Sequence, residues 1–260
     1  MMTWQFLRVK RIRRAVFCMA LCAVSTGAKA ETVLVAVAAN FAGAAEAISA
    51  AFHDATGHEA RITTGSTGKL YAQITEGAPF EVLLSADEQT PEKLEAEGQA
   101  VAGNRFTYAI GGLTLWSVDA GLIGTDAQVL LGSEKIRFLA IANPDLAPYG
   151  VAAKEVLTNL GLWGAVQPKI VLGQNVGQVF ALANTGAADA AFVATSALHG
   201  ADAPAGSRLD IPQALFTPLR QDAVLLTKGK DNAAAAAFID FLKGDGAKGI
   251  ITDFGYDFPG

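Results

Sequence analysis

Short apolar runs that alternate with amphipathic stretches constrain this chain more than any other feature. Residues 32–38 are apolar at every position after the first, and lead into a segment whose Ala45, Ile48 and Phe52 share one helical face. Residues 60–64 and 81–85 read as further strands, with a helix over 69–76 between them. A strand with one wet face alternates polar and apolar residues. A run that is apolar throughout needs protein on both faces, the pattern of a parallel sheet covered by helices.

A second series begins near Leu113, with strands over 137–142, 169–172 and 190–194 and helices over 152–160 and 178–185. The chain closes with a strand over 223–227 and an alanine-rich helix over 232–242 that turns Phe238 and Phe241 or Leu242 inward. Two βαβ series with a closing strand and helix predict an α/β protein of two lobes, each a mostly parallel sheet flanked by helices. Lobe 1 is expected over 31–112 plus 220–260, and lobe 2 over 113–219. Ligands of such sheets sit beyond the carboxyl ends of the strands, where helices begin. The strand-to-helix turns are therefore the places to search.

The first thirty residues belong to neither lobe. Arg8, Lys10, Arg11, Arg13 and Arg14 precede an apolar run, and Ala28-Lys29-Ala30 offers a small-residue cleavage site before Glu31. That order predicts a cleavable secretory signal peptide over 1–30 and a product outside the cytoplasm. The apolar run is about ten residues, half of what a bilayer-spanning helix needs. Arg13-Arg14 hints at a twin-arginine route, although its flanks fit the general secretory route better. Both cysteines, Cys18 and Cys22, fall inside this segment. The mature chain is left with no disulfide, no thiol nucleophile and no thiolate metal ligand.

Removing the signal takes six of the 20 basic residues and none of the 25 acidic ones, which leaves a net charge of −11. A nucleic-acid binder needs the opposite sign. An anion receptor with this charge gains nothing from long-range steering, so local dipoles must hold any anion.

Four turns could supply such dipoles. They are Ala39-Asn40-Phe41, Gly65-Ser66-Thr67-Gly68, Pro148-Tyr149-Gly150 and Gln174-Asn175-Val176-Gly177. Each places small or uncharged polar residues just before a helix. A helix start presents unpaired N–H groups and about half a positive charge, so several converging starts bind an anion without lysine or arginine. The hydroxyls of Ser66, Thr67 and Tyr149 and the amide of Asn40 would add donors. Taken singly, each turn has a plainer explanation, since Ser, Thr and Asn at these positions ordinarily cap their own helix. The Gly65–Lys69 stretch is only superficially a phosphate loop. Thr63 stands where that loop needs glycine, and Leu70 where it needs a hydroxyl.

Along nearly its whole mature length the sequence resembles the periplasmic molybdate-binding proteins of ABC importers, which are type II periplasmic binding proteins. The matching stretches include Val37-Ala38-Ala39-Asn40-Phe41, Gly65-Ser66-Thr67-Gly68 with Gln73-Ile74, and Gly77-Ala78-Pro79 with Ser85-Ala86-Asp87. Later ones are Asn143-Pro144, Tyr149-Gly150 with Ala153-Lys154-Glu155, Asn175-Val176 and Phe254-Gly255-Tyr256. The resemblance implies a periplasmic, monomeric receptor that closes two lobes on molybdate or tungstate and delivers it to permease subunits. Carried over by position, the oxyanion contacts fall on Ala39, Asn40, Ser66, Thr67, Tyr149 and Val176, the last through its backbone N–H alone. Molybdenum or tungsten would enter as the oxyanion, with no direct protein–metal ligand and no cofactor. Some members place a ligand-binding tyrosine where Ala194 stands, a donor absent from this chain.

The acids and bases point the same way. Asp87 is expected as a cap or acceptor, and Asp145 as a turn residue after Pro144. The other ligand turns carry no acid, which favours a fully ionised dianion over phosphate, because a pocket carboxylate repels an anion that brings no proton. His53, His58 and His199 lack metal-ligand spacing and read as solvated, and Lys69 reads as surface. No nucleophile–base pair, metal cluster or paired carboxylate suggests an enzyme. The alternative is a receptor for another tetrahedral oxyanion such as sulfate.

Overall fold

The computed structural model describes Met1, residues 30–200 and residues 203–259. The expected signal segment therefore lies outside the described residues except at its two ends.

The chain builds two five-stranded sheets. The first has β1 (Thr32–Ala38), β2 (Glu59–Gly65), β3 (Val82–Leu84), β4 (Phe106–Gly111) and the late strand β10 (Leu219–Leu225), in the order β2-β1-β3-β10-β4. The second has β5 (Leu113–Ser117), β6 (Leu139–Ala142), β7 (Ile170–Gly173), β8 (Ala190–Ala194) and β9 (Ser207–Asp210), in the order β7-β6-β8-β5-β9. In each sheet one strand opposes the other four. It is β10, antiparallel to β3 and β4, in the first, and β5, antiparallel to β8 and β9, in the second. The chain passes between the sheets at Gly111-Gly112 and returns between β9 and β10.

The continuous apolar runs have the cause the sequence suggested. Val33, Val35 and Val37 of β1 face a core shared with Phe41 and with Phe52 of α1 (Ala42–Thr56). The same core takes Phe238 and Leu242 of α8 (Ala233–Lys243) and Ile251 of α9 (Asp245–Asp253). Ala36, on the opposite face, joins Leu70 and Ile74 of α2 (Thr67–Thr75) and Leu94 of α3 (Gln89–Ala96). Around the second sheet lie α4 (Ala127–Leu131), α5 (Pro148–Asn159), α6 (Trp163–Val166) and α7 (Val176–Asn184), whose apolar residues join one core with Trp116 and Phe192. Helix α1 ends on Gly57, whose φ of 75° is the left-handed turn that lets its N–H reach the His53 carbonyl.

Three differences from the sequence expectation bear on function. Helices α2, α5 and α7 begin earlier than expected, at Thr67, Pro148 and Val176, and their first turns line the space between the lobes. Strand β10 begins at Leu219 rather than 223. The polar Gln221 and Asp222, left outside the expected strand, are buried in the sheet, and Asp222 is met by Arg105 and Thr107, each at 2.7 Å. Strands β4 and β9 and helices α3, α4, α6 and α9 were not anticipated. Among the histidines, His53 is exposed, whereas His58 and His199 are half-buried rather than solvated.

Candidate functional site

The four turns meet. Ala39, Asn40, Ser66, Thr67, Tyr149 and Val176 line one small cavity between the two sheets, with six further residues that are all small or uncharged. No lysine, arginine, histidine, aspartate or glutamate is among the described lining residues. Lobe 1 supplies Ala39, Asn40, Ser66 and Thr67, and the second sheet's side supplies Tyr149 and Val176.

Each residue sits at a helix start. Ala39 and Asn40 form a turn of 3-10 helix that runs into α1, and Ser66 and Thr67 are the N-cap and first residue of α2. Tyr149 follows Pro148 at the start of α5, and Val176 is the first residue of α7. Early N–H groups of a helix have no acceptor inside it. Three of them are spent in the structure: Gly68 N–H donates to the Leu146 carbonyl across the cleft (2.9 Å), Gly150 N–H to the Ala147 carbonyl (2.9 Å), and Gln178 N–H to Asn175 Oδ1 (2.9 Å). Those of Ala39, Asn40, Thr67, Tyr149 and Val176 belong to residues that line the cavity.

The capping explanation can now be judged turn by turn. It holds for Asn175, whose side chain caps α7. It fails for Ser66, which makes no cap bond and whose Oγ has no hydrogen-bond partner among the described residues, although the residue is only 4% exposed. Thr67 Oγ1 accepts the Ala86 N–H at 3.2 Å, which leaves its proton free to donate. Tyr149 is buried, and its hydroxyl oxygen accepts from Gln221 Nε2 at 3.4 Å. Burial, reinforced by the nearby Tyr256 phenol, pushes the Tyr149 hydroxyl well above the ordinary tyrosine range, so it stays a neutral donor.

The Asn40 amide was expected among the donors, but it is turned into the lobe. Its Nδ2 donates to Gln221 Oε1 (2.8 Å) and to Tyr256 Oη (3.1 Å), so what Asn40 offers the cavity is its backbone. Its carbonyl accepts from Tyr256 Oη (2.7 Å) and, across the cleft, from Ser196 Oγ (3.0 Å). Tyr108 Oη, close to Ser85 O (3.0 Å) and Gln221 Oε1 (3.1 Å), completes this buried network. Sequence reasoning missed Gln221, Tyr108, Ser196 and Tyr256 as neighbours of the site. The one available signal was polar Gln221 and Asp222 standing directly before an apolar run.

The acids stay out of the cavity. Asp87 Oδ1 accepts from Ser85 Oγ (3.1 Å) and the Thr90 N–H (2.9 Å), the acceptor role expected of it, and burial raises its carboxyl pKa. With Asp145 it lines a separate groove of about 490 Å³ on one side of the site. Asp145 donates its N–H to Asn143 Oδ1 (3.0 Å) in a local turn. Ala194 lies in a second groove on the other side, so the hydroxyl it lacks leaves the cavity wall unbroken.

Residues 33–257 match the family described as bacterial extracellular solute-binding protein. The molybdate-binding protein ModA of Azotobacter vinelandii is 47% identical over 234 residues, covering 90% of this chain and 92% of that one. Its namesake from Rhodobacter capsulatus is 46% identical over 229 residues, covering 88% and 89%. The solved structure of the Azotobacter vinelandii periplasmic molybdate-binding protein superposes with a TM-score of 0.85 at 42% identity, covering 88% of this chain and 100% of that one.

Proposed function

We propose, since this chain belongs to the bacterial extracellular solute-binding proteins and, within them, to the molybdate-binding family, that it captures molybdate or tungstate and delivers it to an ABC importer. One observation carries the reading: a cavity lined by four helix starts from both lobes, with no charged side chain in its described wall. A bare dianion fits such a wall. Preorganised N–H and O–H dipoles replace its water, and no carboxylate repels it. A hydrogen-bearing oxyanion such as hydrogen phosphate would bring a proton for which the wall offers no carboxylate acceptor.

The anion touches Ala39, Asn40, Ser66 and Thr67 on one side and Tyr149 and Val176 on the other, so binding favours the closed form over an open one. The lobes divide at 112/113 and 219/220, and the two crossings between the sheets act as the hinge. The chain works as a monomer in the periplasm after loss of residues 1–30, and the closed form docks on permease subunits. The role is binding rather than catalysis and needs no cofactor.

Calorimetric titration of the mature chain with molybdate, tungstate, sulfate and phosphate tests this. Molybdate and tungstate bind most tightly, sulfate binds more weakly because its bonds are shorter, and phosphate does not compete. Preferential binding of sulfate, or binding of phosphate alone, overturns the assignment.

A further inference from the structure

Gln221 is completely buried, contacts three polar side chains of the site's surroundings, and is absent from the cavity wall. We propose that Gln221 is the positioning residue that locks the Tyr149 hydroxyl as a hydrogen-bond donor toward the anion. This rests on the anion occupying the cavity described above.

The locking follows from counting donors and acceptors. Asn40 Nδ2 donates to Gln221 Oε1 at 2.8 Å, and the Tyr108 hydroxyl lies 3.1 Å from the same oxygen. With its oxygen held by the Asn40 amide, the Gln221 amide turns its NH₂ outward, where it meets Tyr149 Oη at 3.4 Å. A phenol oxygen that accepts from this amide keeps its own proton for a further acceptor, and Tyr149 is among the residues that line the cavity. The polarity thus runs in one direction, from Asn40 through Gln221 to Tyr149 and then to the ligand.

The backbone is arranged around this contact. The ladder between β10 and β4 pairs Gln221 with Ala109 and Asp222 with Thr107, leaving Tyr108 as an extra residue in β4. Such a bulge re-aims side chains, and here the Tyr108 hydroxyl comes within reach of Gln221. Opposite, Gly111 leaves room for the pair. A Cβ there would stand 2.2 Å from Tyr149 Oη and 2.5 Å from Gln221 Nε2. Gln221 lies in the first sheet and Tyr149 in a helix on the second, so the donor is aligned only when the lobes are together.

A double-mutant cycle on the mature chain reads this directly. Tyr149→Phe weakens molybdate binding by about tenfold or more, the loss of a hydrogen bond to a charged group. Gln221→Met, which keeps the side chain's length, weakens it by a similar factor where Tyr149 is present. It changes binding by less than about twofold in the Tyr149→Phe background, because coupled residues are not additive. Losses that multiply in the double variant overturn the role. Should Gln221→Met fail to fold, Gln221→Glu keeps the acceptor for Asn40 and Tyr108. Its added charge repels the anion in both backgrounds and cancels from the cycle, so a larger loss beside Tyr149 than beside phenylalanine supports the proposal, and equal losses overturn it. The wild-type titration separates the two levels. No molybdate binding there overturns the reading of the cavity itself, whereas binding with multiplicative losses removes only the role of Gln221.

Discussion

Replacing Ser66 with alanine separates ligand binding from folding more cleanly than any other change in the cleft. Its Oγ has no partner among the described residues, so the ligand-free protein loses no hydrogen bond when it is removed. Thr67 next to it supplies the contrast, because its Oγ1 holds the Ala86 N–H. A hydrogen bond to a charged group contributes about 1.5–3 kcal/mol, and each 1.4 kcal/mol is tenfold, so Ser66→Ala should weaken molybdate binding by about 10- to 150-fold. Its ligand-free melting temperature should move by no more than about 1–2 °C. Thr67→Val should lose comparable affinity and also strand the Ala86 N–H, which costs about 1–3 kcal/mol, or about 2–4 °C in Tm for each kcal/mol. Titration calorimetry and scanning calorimetry on the ligand-free proteins measure both quantities. Unchanged affinity in Ser66→Ala, or a ligand-free melt that falls as far as that of Thr67→Val, would refute the reasoning and return Ser66 to the role of a cap.

Gly150→Ala places a Cβ 2.2 Å from the Ala142 carbonyl oxygen and 2.8 Å from two backbone carbons, so the start of α5 must shift. It should lower Tm and weaken molybdate binding together, and an unchanged Kd would show that Tyr149 does not depend on that turn. Burial raises the Asp87 carboxyl, so its contribution to stability is present at low pH and is lost as pH rises through its folded value. Asp87→Asn, which keeps an acceptor for the Thr90 N–H, should therefore melt higher than wild type at pH 7, with the gap closing below about pH 4; a gap constant with pH counts against burial as its origin. Because the mature chain carries a net charge of −11, capture followed by stopped-flow fluorescence should not slow as salt rises. A steep fall would reveal a basic funnel.

What the sequence disclosed about this site, and what it withheld, follows from where each signal lies along the chain. Residues 32–38, 190–194 and the helix around Phe238 read correctly because burial on both faces writes itself into consecutive residues. The four turns were legible for a related reason: small and uncharged residues at a strand's end are a local pattern, and the resemblance gave them order. The network behind the cavity was not legible, because Asn40, Tyr108, Ser196, Gln221 and Tyr256 come from five separate segments and meet only in the folded chain. Polar residues inside a buried strand, such as Gln221 and Asp222, fall outside an apolar pattern until their partners are seen. The starts of α2, α5 and α7 were placed late because their first turns line the cleft, where small and polar residues interrupt the helical apolar spacing.

The most direct test is an anomalous-scattering map from crystals of the mature chain grown with molybdate. Helix starts and hydroxyls acting without any charged side chain predict one heavy-atom peak inside the cavity bounded by Ser66, Thr67, Tyr149 and Val176. Its oxygens should lie about 2.7–3.2 Å from N–H and O–H donors. A peak beside a lysine or arginine, or one lying in either of the flanking grooves, would contradict it.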